Sequence, residues 1–153
     1  FRRVLFRSGE AAVARNVLWE FTDPDLGYTY GDPVVAKTLK YGWVVIVPSG
    51  YNNTDGRGYL FIINARTGAL LEKVSTGVGS AANSAGLAYI NGFVTDYSDG
   101  TIDSVYGGDL LGNLWRLDLT SPTAAYPAPL KLASLTDSTM RPGTACSSRC
   151  STV

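Results

Sequence analysis

Two segments of this chain align without a gap: GYLFIINARTG, beginning at Gly58, and GNLWRLDLTSP, beginning at Gly112. The alignment sets Leu60 against Leu114, Phe61 against Trp115, Ile63 against Leu117 and Asn64 against Asp118. Each copy follows a strand that ends in Gly-rich text, VIVPSGYN before the first and SVYGGDLLG before the second. NVLWEFTDPDLG, near the start, reads as a third copy of the outer segment. A unit that recurs in this way cannot bury its own faces alone. Neighbouring copies must stack to make one continuous core, and that requirement limits the fold more than any other feature of the sequence.

The unit itself is β. WVVIVPSG is a continuous β-branched run, as expected of a strand in a sheet core. NNTDGRG follows, and its Asp55-Gly56 pair offers the positive φ angles of a hairpin turn. Residues 43–48 and 58–64 are therefore expected to pair antiparallel across a loop at 51–57. In NARTG, Asn64 can bond the backbone two residues on, and Gly68 can take the left-handed conformation. LLEKVST then returns as a third strand, completing a meander. Helix signals are nearly absent, and residues 80–88 read as an Ala/Gly/Ser loop feeding an inner strand in LAYINGFVTD. The repeat length is that of a propeller blade. The expected fold is all-β, a partial β-propeller of about two blades of four-stranded antiparallel sheet over residues 9–135. Two blades cannot close a ring, so apolar blade faces should be exposed. Leu60, Ile62, Leu114 and Trp115 are the core candidates, with Trp19 and Trp115 expected between neighbouring sheets.

The ends read differently from the body. FRRVLFRS, residues 1–8, threads three arginines through apolar residues at no helical or strand period, and resembles a translated sequencing adapter. It is expected to be a dispensable scar that packs on nothing. Residues 136–153 hold Cys146 and Cys150 in RPGTACSSRCSTV, and read as linker or out-of-frame sequence. A Cys-x3-Cys pair with no histidine and no second pair makes a poor metal site. Acidic and basic residues balance at 13 each, but Arg2, Arg3 and Arg7 lie in the first eight, leaving a mildly acidic body. That disfavours a nucleic-acid partner held by phosphate contacts. With no histidine in the chain, the Ser-His-Asp mechanisms and most catalytic zinc sites are excluded. No apolar run is long enough to cross a bilayer as a helix.

One stretch could carry chemistry. VTDYSDGTIDSVYGGD packs Asp96, Asp99, Asp103 and Asp109 around glycines, and clustered oxygen ligands on a sharp turn are what Ca2+ requires. With Gly100 at the invariant glycine of the helix-loop-helix calcium loop, Asp99, the Thr101 carbonyl and Asp103 fall on ligand positions. Thr95, Tyr97 and Tyr106 occupy the remaining ones, and Asp96 is displaced by one. The residues leave two readings open. Either Asp96, Asp99, Thr101 and Asp103 form a weak calcium site, or Asp99-Gly100 is a hairpin turn with Asp103 in solvent. Asp109, Asn52, Asn53 and Asp55 are expected to serve turns, and Lys37, Lys40, Arg66 and Lys73 to be solvated.

LWEFTDPDLGYTYGDPVVAKT, GWVVIVPSGYNNTDGRGYLFIINARTGALLEKVSTG and VYGGDLLGNLWRLDL together resemble the C-terminal β-propeller of the PilC/PilY proteins. These are large secreted proteins associated with the tips of type IV pili. The resemblance covers residues 16–135, and YGGDLLGNLWRLDL is its most specific phrase. It implies a role in pilus biogenesis and adhesion at the cell surface, with pilus components such as minor pilins and a host or surface receptor as partners. It also implies a calcium site that regulates extension against retraction. Fuller family loops follow Asp-x-Asp-x-Asp-Gly-x-x-Asp, and residues 95–103 are one residue short of that form. The phrase Asn64-x-x-Thr67-Gly68 is similar to a blade motif of quinoprotein dehydrogenases, which ends in a docking Trp where this chain has Glu72. Two alternatives therefore stand beside the pilus reading: a fragment of a quinoprotein-like propeller enzyme, and a surface adhesion propeller without metal. Binding rather than catalysis is the expected mode of action.

Overall fold

A computed structural model of the chain describes residues 17–135. The expectations for residues 1–8 and 136–153, and for Cys146 and Cys150, lie outside the described residues. Eight strands run in sequence order: β1 (Val34–Thr38), β2 (Gly42–Pro48), β3 (Arg57–Asn64), β4 (Leu70–Gly79), β5 (Tyr89–Phe93), β6 (Ser104–Gly108), β7 (Asn113–Asp118) and β8 (Leu130–Ser134). They form two four-stranded sheets, β1-β2-β3-β4 and β5-β6-β7-β8, each an antiparallel meander. The described residues contain no helix.

Turn chemistry sets the connections. The Asn64 side chain accepts from the N–H groups of Arg66 and Thr67, both at 3.0 Å, and Gly68 takes φ 72° to lead into β4. Between β2 and β3, Gly56 has φ 72° while Asp55 does not share the positive region; the other positive φ angles of this loop fall on Gly50, at 71°, and Asn52, at 56°. The turn is longer than a two-residue hairpin because Asn53, buried inside it, donates to the carbonyls of Asp25 and Arg57. Gly56 also lies against the Ser80 backbone, where a Cβ would come within 1.9 Å of the carbonyl oxygen.

The period-two geometry of the strands then decides which residues meet. Val44, Ile46, Leu60, Ile62 and Val74 of the first sheet face Val105, Trp115 and Leu117 of the second, with Leu87, Ile102, Leu119 and Tyr126 filling the seam. Phe61 and Ile63, on the opposite side of β3, are also fully buried. Phe61 is covered by Phe21 at a ring separation of 5.5 Å, and Trp19 packs on Gly68 while donating from Nε1 to the Ala65 carbonyl. Segment 17–23 therefore seals the outer side of the first sheet without joining it as a strand.

Two expectations about burial change. Leu114 is only half-buried, because β7 turns it away from the seam that takes Trp115. Trp19 is half-buried against the Gly68 turn rather than between the two sheets, whereas WVVIVPSG lies inside its sheet as expected, with Val44 and Ile46 enclosed, Val45 and Val47 intermediate and Trp43 62% exposed. Exposed Val35 and Trp43 on one side, and Tyr89, Phe93 and Leu130 on the other, are the open outer faces expected of a short stack.

Candidate functional site

The acidic loop joins β5 to β6. Asp96 accepts from the Ser98 N–H at 2.8 Å, Asp99 from the Thr101 N–H at 2.8 Å, and Asp103 from the Thr95 N–H at 2.6 Å. Gly100 has φ 65°, as a turn at Asp99-Gly100 requires. Asp96 and Asp99 are exposed and Asp103 is half-buried, while Thr101 is buried and forms a parallel bridge with Lys37 of β1. Lys37 also reaches the Asp99 carbonyl at 3.4 Å. The Ser98 backbone and side chain hold the Asp96 carboxyl below the usual carboxylate range. In this geometry the loop is a series of capped turns. Its carboxylates serve separate N–H groups, and among the described residues no three His, Cys, Asp or Glu side chains are grouped to hold a metal ion.

Acids elsewhere do more than close turns. Asp55 and Asp109 stand at the same place in the two repeats, three residues before Gly58 and Gly112. Each accepts from the N–H two residues on, Arg57 at 2.9 Å and Leu111 at 3.0 Å. Each also takes a bond from the side chain four residues on, the Tyr59 hydroxyl and the Asn113 amide. Asp109 further accepts from Trp115 Nε1 at 2.8 Å, so the turn orients the largest side chain of the seam.

Glu72 and Lys73 of β4 were the residues least visible in the sequence. They are neighbours in a strand, so they face opposite ways. Glu72 accepts from Lys40 Nζ, from the Tyr41 hydroxyl at 2.6 Å and from the Tyr126 N–H at 2.9 Å, tying the first sheet to the second. Burial would raise its pKa; the bonds from Lys40, Tyr41 and Tyr126 reverse this and lower it. Lys73 pairs with Asp23 at 2.7 Å and Asp25 at 2.6 Å, and lies over the rings of Tyr59 and Phe61. Burial opposes its charge, but those two carboxylates raise its pKa overall. Lys40 and Lys73 are thus inter-element ties rather than solvated side chains. The position aligned with a quinoprotein docking Trp is likewise an ionic tie.

At the opposite end of the sheets from the acidic loop, Tyr28 and Tyr51 form an antiparallel bridge. Tyr30 packs beside both, with ring separations of 6.4 Å to Tyr28 and 5.9 Å to Tyr51. No helix among the described residues is long and apolar enough to cross a membrane.

Comparison with known proteins agrees with this architecture. The family described as the PilY1 beta-propeller domain matches residues 14–151. A type IV pilus biogenesis factor PilY1 homolog of Xylella fastidiosa strain Temecula1 is 41% identical over 116 residues, covering 69% of this chain and 8% of that protein. Type IV pilus biogenesis factor PilY1 of Pseudomonas aeruginosa strain PAO1 is 37% identical over 125 residues, covering 77% of this chain and 10% of the relative. The crystal structure of the Pseudomonas aeruginosa PilY1 C-terminal domain superposes with a TM-score of 0.60 at 39% identity, over 67% of this chain and 21% of that one. The chain therefore spans a tenth or less of the length of these two relatives. Two stacked four-stranded meanders, a shared blade repeat and these matches together place the chain in the PilY1 β-propeller family.

Proposed function

We propose that this chain is part of the propeller of a type IV pilus biogenesis factor, acting by binding at the extracellular, pilus-associated side of the cell. The observation that carries the reading is the family match across both blades, including the phrase on β7 whose Trp115 is buried in the seam. The partners are pilus components, with a surface receptor reached through the same protein. The test is replacement of the corresponding blades of a PilY1 relative by residues 17–135, scored by surface pili and twitching motility. Restored piliation is the expected result. A folded, exported hybrid with no pili would refute the reading.

Calcium regulation is a finer proposal, resting on the exposed carboxylates and the Asp99-Gly100 turn. Occupancy would require Asp96, Asp99 and Asp103 to give up their turn bonds and converge with the Thr101 carbonyl. With that cost and the displaced Asp96, the proposed affinity is about 10⁻⁴ to 10⁻³ M, the weak extracellular range. Calorimetric titration with Ca2+ of a complete propeller carrying the loop should give heats that vanish in Asp99→Ala and Asp103→Ala. Equal heats in all three proteins would leave the turn as the loop's whole role.

A further inference from the structure

Two groups of exposed apolar side chains stand apart among the described residues. Val35, Trp43, Phe93 and Leu130 lie on strands, where stacking of another sheet would cover them. Tyr28, Tyr30 and Leu110 lie in connections at one end of the sheets, which stacking leaves open; they are 61%, 67% and 62% exposed. The antiparallel order brings four segments to that end: residues 22–33 before β1, 49–57 between β2 and β3, 80–88 before β5, and 109–112 between β6 and β7.

These segments are stitched together by the backbone. Tyr28 and Tyr51 exchange N–H···O bonds of 2.7 and 3.0 Å, Gly27 donates to the Ser49 carbonyl, Gly50 to the Leu87 carbonyl and Leu110 to the Ala85 carbonyl. Gly86, at φ 56°, lets the Tyr51 ring and Leu110 close over it; a Cβ there would come within 2.8 Å of Tyr51 Cδ1 and 2.5 Å of Leu110 Cδ1. Tyr30, Tyr28, Tyr51 and Leu110 therefore form a continuous band on a fixed frame. Rigid tyrosines presented in this way supply contact area at low conformational cost.

Charge distinguishes this end from the other. Its segments carry Asp23, Asp25, Asp32, Asp55 and Asp109 against Arg57, with Lys73 reaching in from β4. At the far end Asp96, Asp99, Asp103, Glu72 and Asp118 stand against Lys37, Lys40, Arg66 and Arg116, with Lys40 paired to Glu72 and Arg116 beside Asp118, so that the two signs nearly balance there. An aromatic band with surplus carboxylates favours a cation, which the ring faces attract and the acids steer. We propose that the tyrosine end of the propeller is a docking face for a basic protein segment, whose Arg or Lys side chains lie over the Tyr28 and Tyr30 rings between the surrounding carboxylates. The inference rests on the fold and not on the pilus reading.

The test is titration of the full-length protein that carries this chain with a short peptide alternating glycine and arginine. A glycine–glutamate peptide and a β-linked glucose oligosaccharide serve as comparisons. The arginine peptide should bind, and should bind about tenfold more weakly to Tyr28→Ala/Tyr30→Ala, the loss expected for two exposed cation–π contacts. Tyr28→Phe/Tyr30→Phe, which keeps both rings, should retain the affinity. So should Tyr97→Ala, which removes an 83% exposed tyrosine at the opposite end. Equal affinity for the double alanine variant, with its thermal midpoint unchanged, would reduce the binding to net charge and overturn the proposal. Tyrosine-dependent binding of the oligosaccharide and not of the arginine peptide would overturn it in favour of a carbohydrate platform.

Discussion

At the scale of the residue, side chains fall into those whose partners are local and those whose partners are distant. Asn64 and Asp109 bond N–H groups two to four residues on, and sequence alone is enough to assign them to turns. Glu72 reaches partners 31, 32 and 54 residues away, so no local pattern identifies it. Its lowered pKa has a measurable result. A carboxyl whose folded pKa lies below the unfolded value of about 4.3 stabilises the fold above that pH, and the contribution is lost as pH falls through the folded pKa. Unfolding by urea at a series of pH values should therefore show stability falling below about pH 4.3, with a shallower fall in Glu72→Gln. At neutral pH the variant should be less stable by about 1.5–3 kcal/mol, the scale of hydrogen bonds to a charged acceptor. Parallel pH profiles for the two proteins would show that Glu72 does not carry the coupling.

At the scale of the element, the ungapped alignment of the two repeats holds in three dimensions. Phe61 and Trp115 occupy corresponding places on β3 and β7, both are buried, and each faces the side from which the chain has come. The hairpin of β2 and β3, the returning β4 and the loop into β5 were equally legible, because apolar runs and turn residues mark them directly. The bulges were not. Register slips between Ile62 and Ile63 and between Leu114 and Trp115 arise where β4 and β8 adjust to their partners, with no residue to announce the extra step; only the slip between Arg57 and Tyr59 is marked, by Gly77 of β4 at φ 72°. The half-burial of Leu114 follows from the side it takes rather than from its type. Truncating the equivalent seam residue should be costly: Trp115→Ala in a complete propeller is expected to lose about 3–5 kcal/mol through transfer and cavity terms together. Chemical denaturation measures this directly, and a loss below about 1 kcal/mol would mean that the seam relaxes around the missing indole.

At the scale of the whole molecule, the two sheets make a stack with one closed seam and two unlike outer faces. The all-β, blade-like architecture could be read from the repeat, since a unit that cannot bury itself must be stacked. The candidate site was legible only as composition. The acids of residues 95–103 are all present, but their directions depend on which N–H group each one caps, and that is decided by the backbone path. The sealing of Phe61 by Phe21 and of Trp115 by the first sheet has a further consequence. In both repeats the aligned aromatic side chain, Phe61 or Trp115, meets a surface encoded upstream of it, and on β3 the opposite side, Leu60 and Ile62, meets the second sheet, encoded downstream. The N-terminal part of the described sequence thus supplies the cover for both of these rings, and the order of the sheets along the chain is also the order in which the aromatic positions of the repeat are enclosed.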